Sequence, residues 1–135
     1  MPDTVTPQGP HTPNFDDSGL APMSTRYVDT DALPWIQTVY EGIELKILFQ
    51  DIDRGLMTAL FRWQPGAELP MHEHTDIEQS YILEGSLCDE EGECRTGQFA
   101  WRPAGSTHRA WSPDGCLIFA TFQKPNRFLE GPDAS

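Results

Sequence analysis

The residues with the most chemistry to offer lie in one stretch, Gly66-Ala67-Glu68-Leu69-Pro70-Met71-His72-Glu73-His74-Thr75-Asp76-Ile77-Glu78. If residues 69–74 are extended, His72 and His74 project from the same face, because side-chain direction repeats every two residues in a strand. Thr75-Asp76-Ile77 is long enough for a turn that returns Glu78 to the two imidazoles. A third imidazole, His108, follows the proline-glycine corner Pro103-Ala104-Gly105. Three neutral imidazoles and one carboxylate form a borderline-hard site suited to a divalent transition metal. The expected cofactor is one such ion per chain, with Fe(II) favoured and then Zn, Mn, Ni or Cu. A lone His-x-His is a weak signal, but here three of the chain's four histidines share one spaced pattern with an acid and several glycines.

Short strands must position these groups. In Ile43–Gln50 the apolar residues alternate, the period of a half-buried strand, whereas Leu56–Trp63 is more continuously apolar and reads as covered on both faces. Gln79–Glu84, Gln98–Arg102, His108–Trp111 and Cys116–Gln123 repeat the pattern between turn signals at Gly85, Glu91-Gly92, Pro103-Ala104-Gly105 and Pro113-Asp114-Gly115. No dozen-residue window has a capped helical stripe, although Asp29–Trp35 has room for one short turn. The fold class expected is all-β, an antiparallel sandwich or barrel of the jelly-roll sort. Residues 1–33 hold five of the twelve prolines and no apolar periodicity, and read as an acidic, disordered arm. Residues 34–130 form the single domain and 131–135 a tail.

Counting by two from Glu78 places Ser80 and Ile82 on the metal side. Phe99 and Trp101 are expected in the substrate pocket, with Met57, Phe61, Trp63, Trp111 and Phe119 also available for its apolar wall. Arg62, Arg102 and Arg109 are the basic groups nearest the site in sequence, and an inward arginine would hold a substrate carboxylate; Arg62 is the one placed in the pocket. Tyr81 is expected on the opposite face.

Composition narrows the partners. The 135 residues carry 9 basic and 21 acidic side chains, a formal net charge of -12, and only Lys46 and Lys124 as lysines. No basic stripe is present to neutralise phosphates, which argues against nucleic acid and anionic membranes and leaves a small-molecule substrate. The first twenty residues lack the basic and apolar regions of a secretory signal, so a soluble cytoplasmic protein is expected. Three cysteines, Cys88, Cys94 and Cys116, suit reduced thiols rather than a disulfide framework, with Cys88 and Cys94 flanking a turn as the one conceivable redox pair.

Taken together, these residues resemble the cupins. The first cupin motif, Gly, five residues, His-x-His, three residues, Glu, six residues, Gly, is met by Gly66, His72, His74, Glu78 and Gly85. The second, Gly, five residues, Pro-x-Gly, two residues, His, three residues, Asn, is met by Gly97, Pro103, Gly105 and His108, with Ser112 in place of the asparagine. The finer texture, Tyr81-Ile82-Leu83-Glu84-Gly85 and Trp101-Arg102-Pro103-Ala104-Gly105-Ser106-Thr107-His108, is most similar to a bacterial branch. That branch includes the sensor half of ChrR-like anti-sigma factors and small dioxygenases that cleave diketones or hydroxyacetophenones. The resemblance implies a jelly-roll barrel with His72, His74, Glu78 and His108 as metal ligands, Glu78 doubling as a base. It implies a non-haem Fe(II) dioxygenase for a small carbonyl or aromatic compound; the alternatives are a non-catalytic metal or ligand sensor and a non-redox isomerase or lyase. Residues 1–34 hold only His11 and no cysteine, so the zinc module of the full anti-sigma proteins is not expected there. Cupins commonly pair through a sheet face, so a homodimer is expected, with Ile43–Phe49 as the apolar stripe available for it.

Overall fold

The computed structural model describes residues 7–135. Its strands are β1 (Pro10–His11), β2 (Ile36–Gln37), β3 (Ile43–Asp51), β4 (Leu56–Trp63), β5 (Ala67–Glu73), β6 (Glu78–Asp89), β7 (Gly92–Arg95), β8 (Phe99–Arg102), β9 (Thr107–Ser112), β10 (Cys116–Phe122) and β11 (Arg127–Phe128). Thr30–Ala32 forms a short 3-10 turn within the Asp29–Trp35 window, capped by the Asp29 carboxylate on the Asp31 amide. Among the described residues there is no α-helix, and no helix long and apolar enough to cross a membrane.

The strands hydrogen-bond in the order β1-β3-β4-β10-β6-β9-β5-β11, with β2 on β3 and with β7 and β8 on β6. Every pairing between these strands is antiparallel, and the sheet curls into the jelly-roll barrel. β6 belongs to both walls, pairing with β10 and β8 along its first part and with β7 and β9 beyond it. Alternation fixes what faces inward. In β10, Cys116, Ile118, Ala120 and Phe122 are buried, and they pack with Ile43, Trp63, Ala67, Ile82, Leu87 and Ala110 into one core.

Gly85 reads from the sequence as a turn, but it lies inside the twelve-residue β6. Its φ of 77° is left-handed, and a Cβ there would strike the Gly115 carbonyl oxygen of the neighbouring strand connection. Just before it, Leu117 of β10 faces Glu84 whereas Ile118 faces Ile82, so Leu83 is an extra residue in β6, a β-bulge.

β4 is covered on both faces, as its composition suggests, for two reasons. Its inner side meets the core, and its outer side at Arg62 lies under the segment that precedes β2. There the Trp35 ring sits 4.2 Å from the Arg62 guanidinium and 4.8 Å from Lys46 Nζ, which also donates to the Thr30 carbonyl at 2.8 Å.

The arm is tied to the barrel near its start. β1 pairs with Gln50 and Asp51, and Thr12 Oγ1 donates to the Leu48 carbonyl at 2.7 Å. Further along, Met23 and Tyr27 stand in solvent; residues 1–6 of the expected arm lie outside the described residues. The expected tail is also held, because Tyr40 donates to Asp133 and the Ser135 amide to the Phe128 carbonyl.

Candidate metal centre and cavity

β5 delivers His72, the turn after it His74, and β9 His108, with His72 and His108 directly opposite in register. The ring centroids are 5.0 Å apart for His72 and His74, 4.6 Å for His72 and His108, and 4.7 Å for His74 and His108. One nitrogen from each lies within 4.8 Å of the other two, and all three side chains are buried.

The opposite edges of these rings are fixed by acceptors. His72 Nδ1 meets the Pro70 carbonyl at 2.7 Å and His108 Nδ1 meets Asp89 Oδ2 at 3.0 Å. His74 Nδ1 meets Ser106 Oγ at 3.0 Å; that hydroxyl gives its own proton to the Pro103 carbonyl at 2.7 Å and therefore accepts here. On His72 and His108, Nδ1 thus carries the proton and Nε2 keeps a bare lone pair, the tautomer a metal requires. Burial favours the neutral form of two of the rings, pushing His72 down to about 4 and depressing His108 although Asp89 opposes the shift. The donor set therefore fits a borderline divalent metal, and His72 and His108 offer it no proton to displace at neutral pH.

Glu78 stands beside the triad. Its Oε2 is 2.7 Å from His74 Nε2, yet that nitrogen has no aligned hydrogen-bond partner. The mutually close set holds the three histidines without Glu78, so the carboxylate adjoins the cluster through His74. Burial alone would raise its pKa, but His74 and the nearby Arg102 charge outweigh that and keep it below the usual carboxylate value. It is an anion at neutral pH.

His72, His108, Glu78 and Ser80 share a cavity of about 600 Å³ with a mostly apolar wall that includes Met57, Phe61, Leu69, Leu87 and Phe122. Ser80 thus faces the cavity as strand alternation predicts. Ile82 points inward as well, but it is sealed in the core rather than lining the space. The other expected pocket residues lie elsewhere. Phe99 and Trp101 are 55% and 60% exposed on the outer face of β8, and Arg62 is occupied outside by Glu44 at 3.0 Å and by Trp35. The reason is register: Trp101 pairs with Gln79 and Phe99 with Tyr81, which put them on the face opposite to Glu78 and Ser80. Phe119 shares that outer face, and Trp111 also stays outside the cavity, whereas Trp63 joins the inner wall.

The inward arginine is Arg102, which pairs across from Glu78 and lines the cavity; Arg109 is bound outside by Glu130. The residues at 125–133 were not legible as a cavity wall. Phe128 stacks on Tyr40 at 5.0 Å and lies 5.3 Å from the His72 ring, closing one side. Ser112, where the second motif departs, is fully buried, and its hydroxyl donates to the Ser86 carbonyl at 2.6 Å, holding β9 to β6. The three thiols are free. Leu87 faces Cys94 and Cys88 faces Glu93, so Cys88 and Cys94 project to opposite faces of the hairpin.

The family model described as the ChrR cupin-like domain matches residues 23–125. No curated protein matches the chain. Among solved structures, an RmlC-like cupin from Ralstonia eutropha superposes with a TM-score of 0.73 at 22% identity, covering 82% of this chain and 75% of that one. The acetylacetone dioxygenase of Acinetobacter johnsonii superposes with a TM-score of 0.69 at 14% identity, covering 89% and 87%. ChrR of Rhodobacter sphaeroides, an anti-sigma protein solved in complex with SigE, superposes with a TM-score of 0.59 at 20% identity, covering 70% of this chain and 50% of that one. At these identities the likeness shows the fold.

Proposed function

The chain belongs to the ChrR cupin-like family, and from that premise we propose that it is a mononuclear Fe(II) dioxygenase that cleaves a small carbonyl compound of the β-diketone or hydroxyketone type. The observation that carries this reading is the meeting of three buried imidazoles whose candidate ligand nitrogens lie within 4.8 Å of one another, with His72 and His108 lining a mostly apolar cavity. His72, His74 and His108 would hold the metal, with Glu78 beside them. When bound, the ion supplies Lewis acidity toward a carbonyl and open positions for dioxygen.

The protein's own groups do the rest. Glu78, ionised and within reach of the triad, takes the proton from the carbon next to the carbonyl. Ser80 Oγ, 3.5 Å from Glu78 Oε1, stands beside that carboxylate. Met57, Phe61, Leu69 and Phe122 hold the apolar body and exclude water, which strengthens the charge interactions at the pole. A second reading, a non-catalytic metal or ligand sensor, draws on the fold shared with the anti-sigma protein ChrR.

The two readings part on metal and oxygen. Protein prepared anaerobically is expected to contain one iron per chain and to consume oxygen when given diketones or hydroxyketones. Stoichiometric zinc with no oxygen uptake would overturn the dioxygenase reading in favour of the sensor. His72→Ala and His108→Ala are each expected to lose the metal, and full metal content in either variant would refute the site. We further propose that two copies pair through the outer face of β8, β6 and β10, where Phe99, Tyr81 and Phe119 form an exposed row across three strands, and an exposed apolar row of this kind marks an interaction surface.

A further inference from the structure

The cavity has one cation among its lining arginines and lysines, Arg102. Its side chain is 12% exposed, and its Nη2 lies 3.9 Å from Asp89 Oδ2, beyond hydrogen-bond distance. Nε and Nη1 are buried and donate to nothing. The neighbouring carboxylates are occupied elsewhere. Asp89 accepts from His108 through Oδ2 and from the amides of Glu91 and Gly92 through Oδ1, at 2.8 and 3.1 Å. Glu78 turns its oxygens to His74 and Ser80. The charge of Arg102 is offset by Asp89 and Glu78 beside it, but its spare N–H bonds stay unmet until an acceptor arrives, and a carboxylate is the acceptor that fits the planar fork.

The position of this cation narrows the ligand. Arg102 sits across the β6–β8 pairing from Glu78, whose carboxylate abuts His74, so the spare donors and the imidazole cluster share the same end of the cavity. The remaining wall is mostly apolar, with Gln37, Thr38, Gln50, Asn126 and Asp133 as its other polar members. We propose that the ligand of this cavity is a small oxo- or hydroxycarboxylic acid with an apolar body, its carboxylate held by Arg102 and its neighbouring oxygen turned toward the three histidines. The second contact rests on the metal reading above; the first does not. Within the small carbonyl compounds proposed above, a neutral diketone still fills the apolar space and can meet the histidines but leaves the guanidinium donors unmet, so members that carry a carboxylate are expected to bind more tightly.

The test uses phenylpyruvate and phenylacetone, which differ by a carboxylate in place of a methyl group, titrated calorimetrically into the full chain with and without zinc, a redox-silent occupant. The zinc-loaded protein is expected to bind the acid at least tenfold more tightly than the ketone. Arg102→Gln is expected to weaken the acid tenfold or more while leaving phenylacetone affinity and zinc content unchanged, and Arg102→Lys, which keeps the charge without the planar fork, to fall between. Equal affinity of the wild-type protein for acid and ketone overturns the proposal without recourse to any variant, as does an Arg102→Lys or Arg102→Gln protein that binds the acid like the wild type. If the chain takes up no zinc, the metal reading fails by itself. Arg102 is then judged by the metal-free titrations, where acid affinity must still drop tenfold in Arg102→Gln and where no drop refutes it.

Discussion

The inner and outer faces of β6 and β8 invert the usual arrangement of a sheet. Glu78, Ser80 and Arg102 look inward, and Gln79, Tyr81, Phe99 and Trp101, their immediate chain neighbours, look outward. Trp101 is 60% exposed while the next side chain, Arg102, is 12% exposed. Large aromatics are ordinarily buried and charged groups ordinarily solvated, so each face is costly as it stands. On the proposals above, the inner charges meet a ligand and the outer aromatics meet another surface.

That contrast is open to attack from either face. The largest effect is expected from acid on the inner one. His72 titrates at about 4 in the fold and near 6.5 when unfolded, so between these values the unfolded chain binds the extra proton. Stability of the metal-free protein should therefore rise with pH through this window. The contribution is absent below pH 4, fully present above pH 6.5 and worth roughly 3 kcal/mol, with His108 adding in the same direction. Urea denaturation at a series of pH values measures it, and a flat profile would show that the buried imidazoles are not held neutral. A smaller effect is expected from Asp89→Asn, which leaves His108 in place but weakens its support. Metal affinity should fall about 10–100-fold, or roughly 1.4–2.7 kcal/mol, by competition with a chelating dye. Unchanged affinity would mean that Asp89 does not orient the ring. The smallest effect on stability belongs to the outer face. Phe99→Ser with Trp101→Gln should alter it by less than about 0.5 kcal/mol and leave metal content intact, while light scattering shows a dimer replaced by monomer. A variant that remains dimeric would remove the outer row from the interface.

The histidine pattern was legible because the ligand spacing repeats in sequence what the strand period does in space: His72 and His74 lie two apart, and the corner before His108 returns the chain to them. The jelly roll was legible for the same reason, from short alternating runs divided by turn residues. The pocket was less so. Both faces of β8 carry apolar residues, so alternation alone could not say whether Trp101 or Arg102 looked inward; that depends on the register with β6, a long-range property. Arg62 and Arg102 are each followed or preceded by a tryptophan on a β-rich run, and only their partners, Glu44 and Trp35 for one and the cavity for the other, tell them apart. Phe128 and Asp133 gave no sign of closing the cavity, since their contacts with His72 and Tyr40 span more than fifty residues of chain.

The extra residue at Leu83 acts as a phase shift within a single strand. Up to Ile82 the even-numbered side chains of β6 look inward, and after the bulge the odd-numbered ones do, with Leu87 in the core and Asp89 on His108. Carried through unshifted, the count would present Cys88 to the interior and turn Asp89 to solvent. One inserted backbone unit thus lets the same strand deliver Glu78 to one side of the imidazole cluster and a supporting carboxylate to the other, and a deletion as small as Leu83 would silence the second without touching any residue of the first.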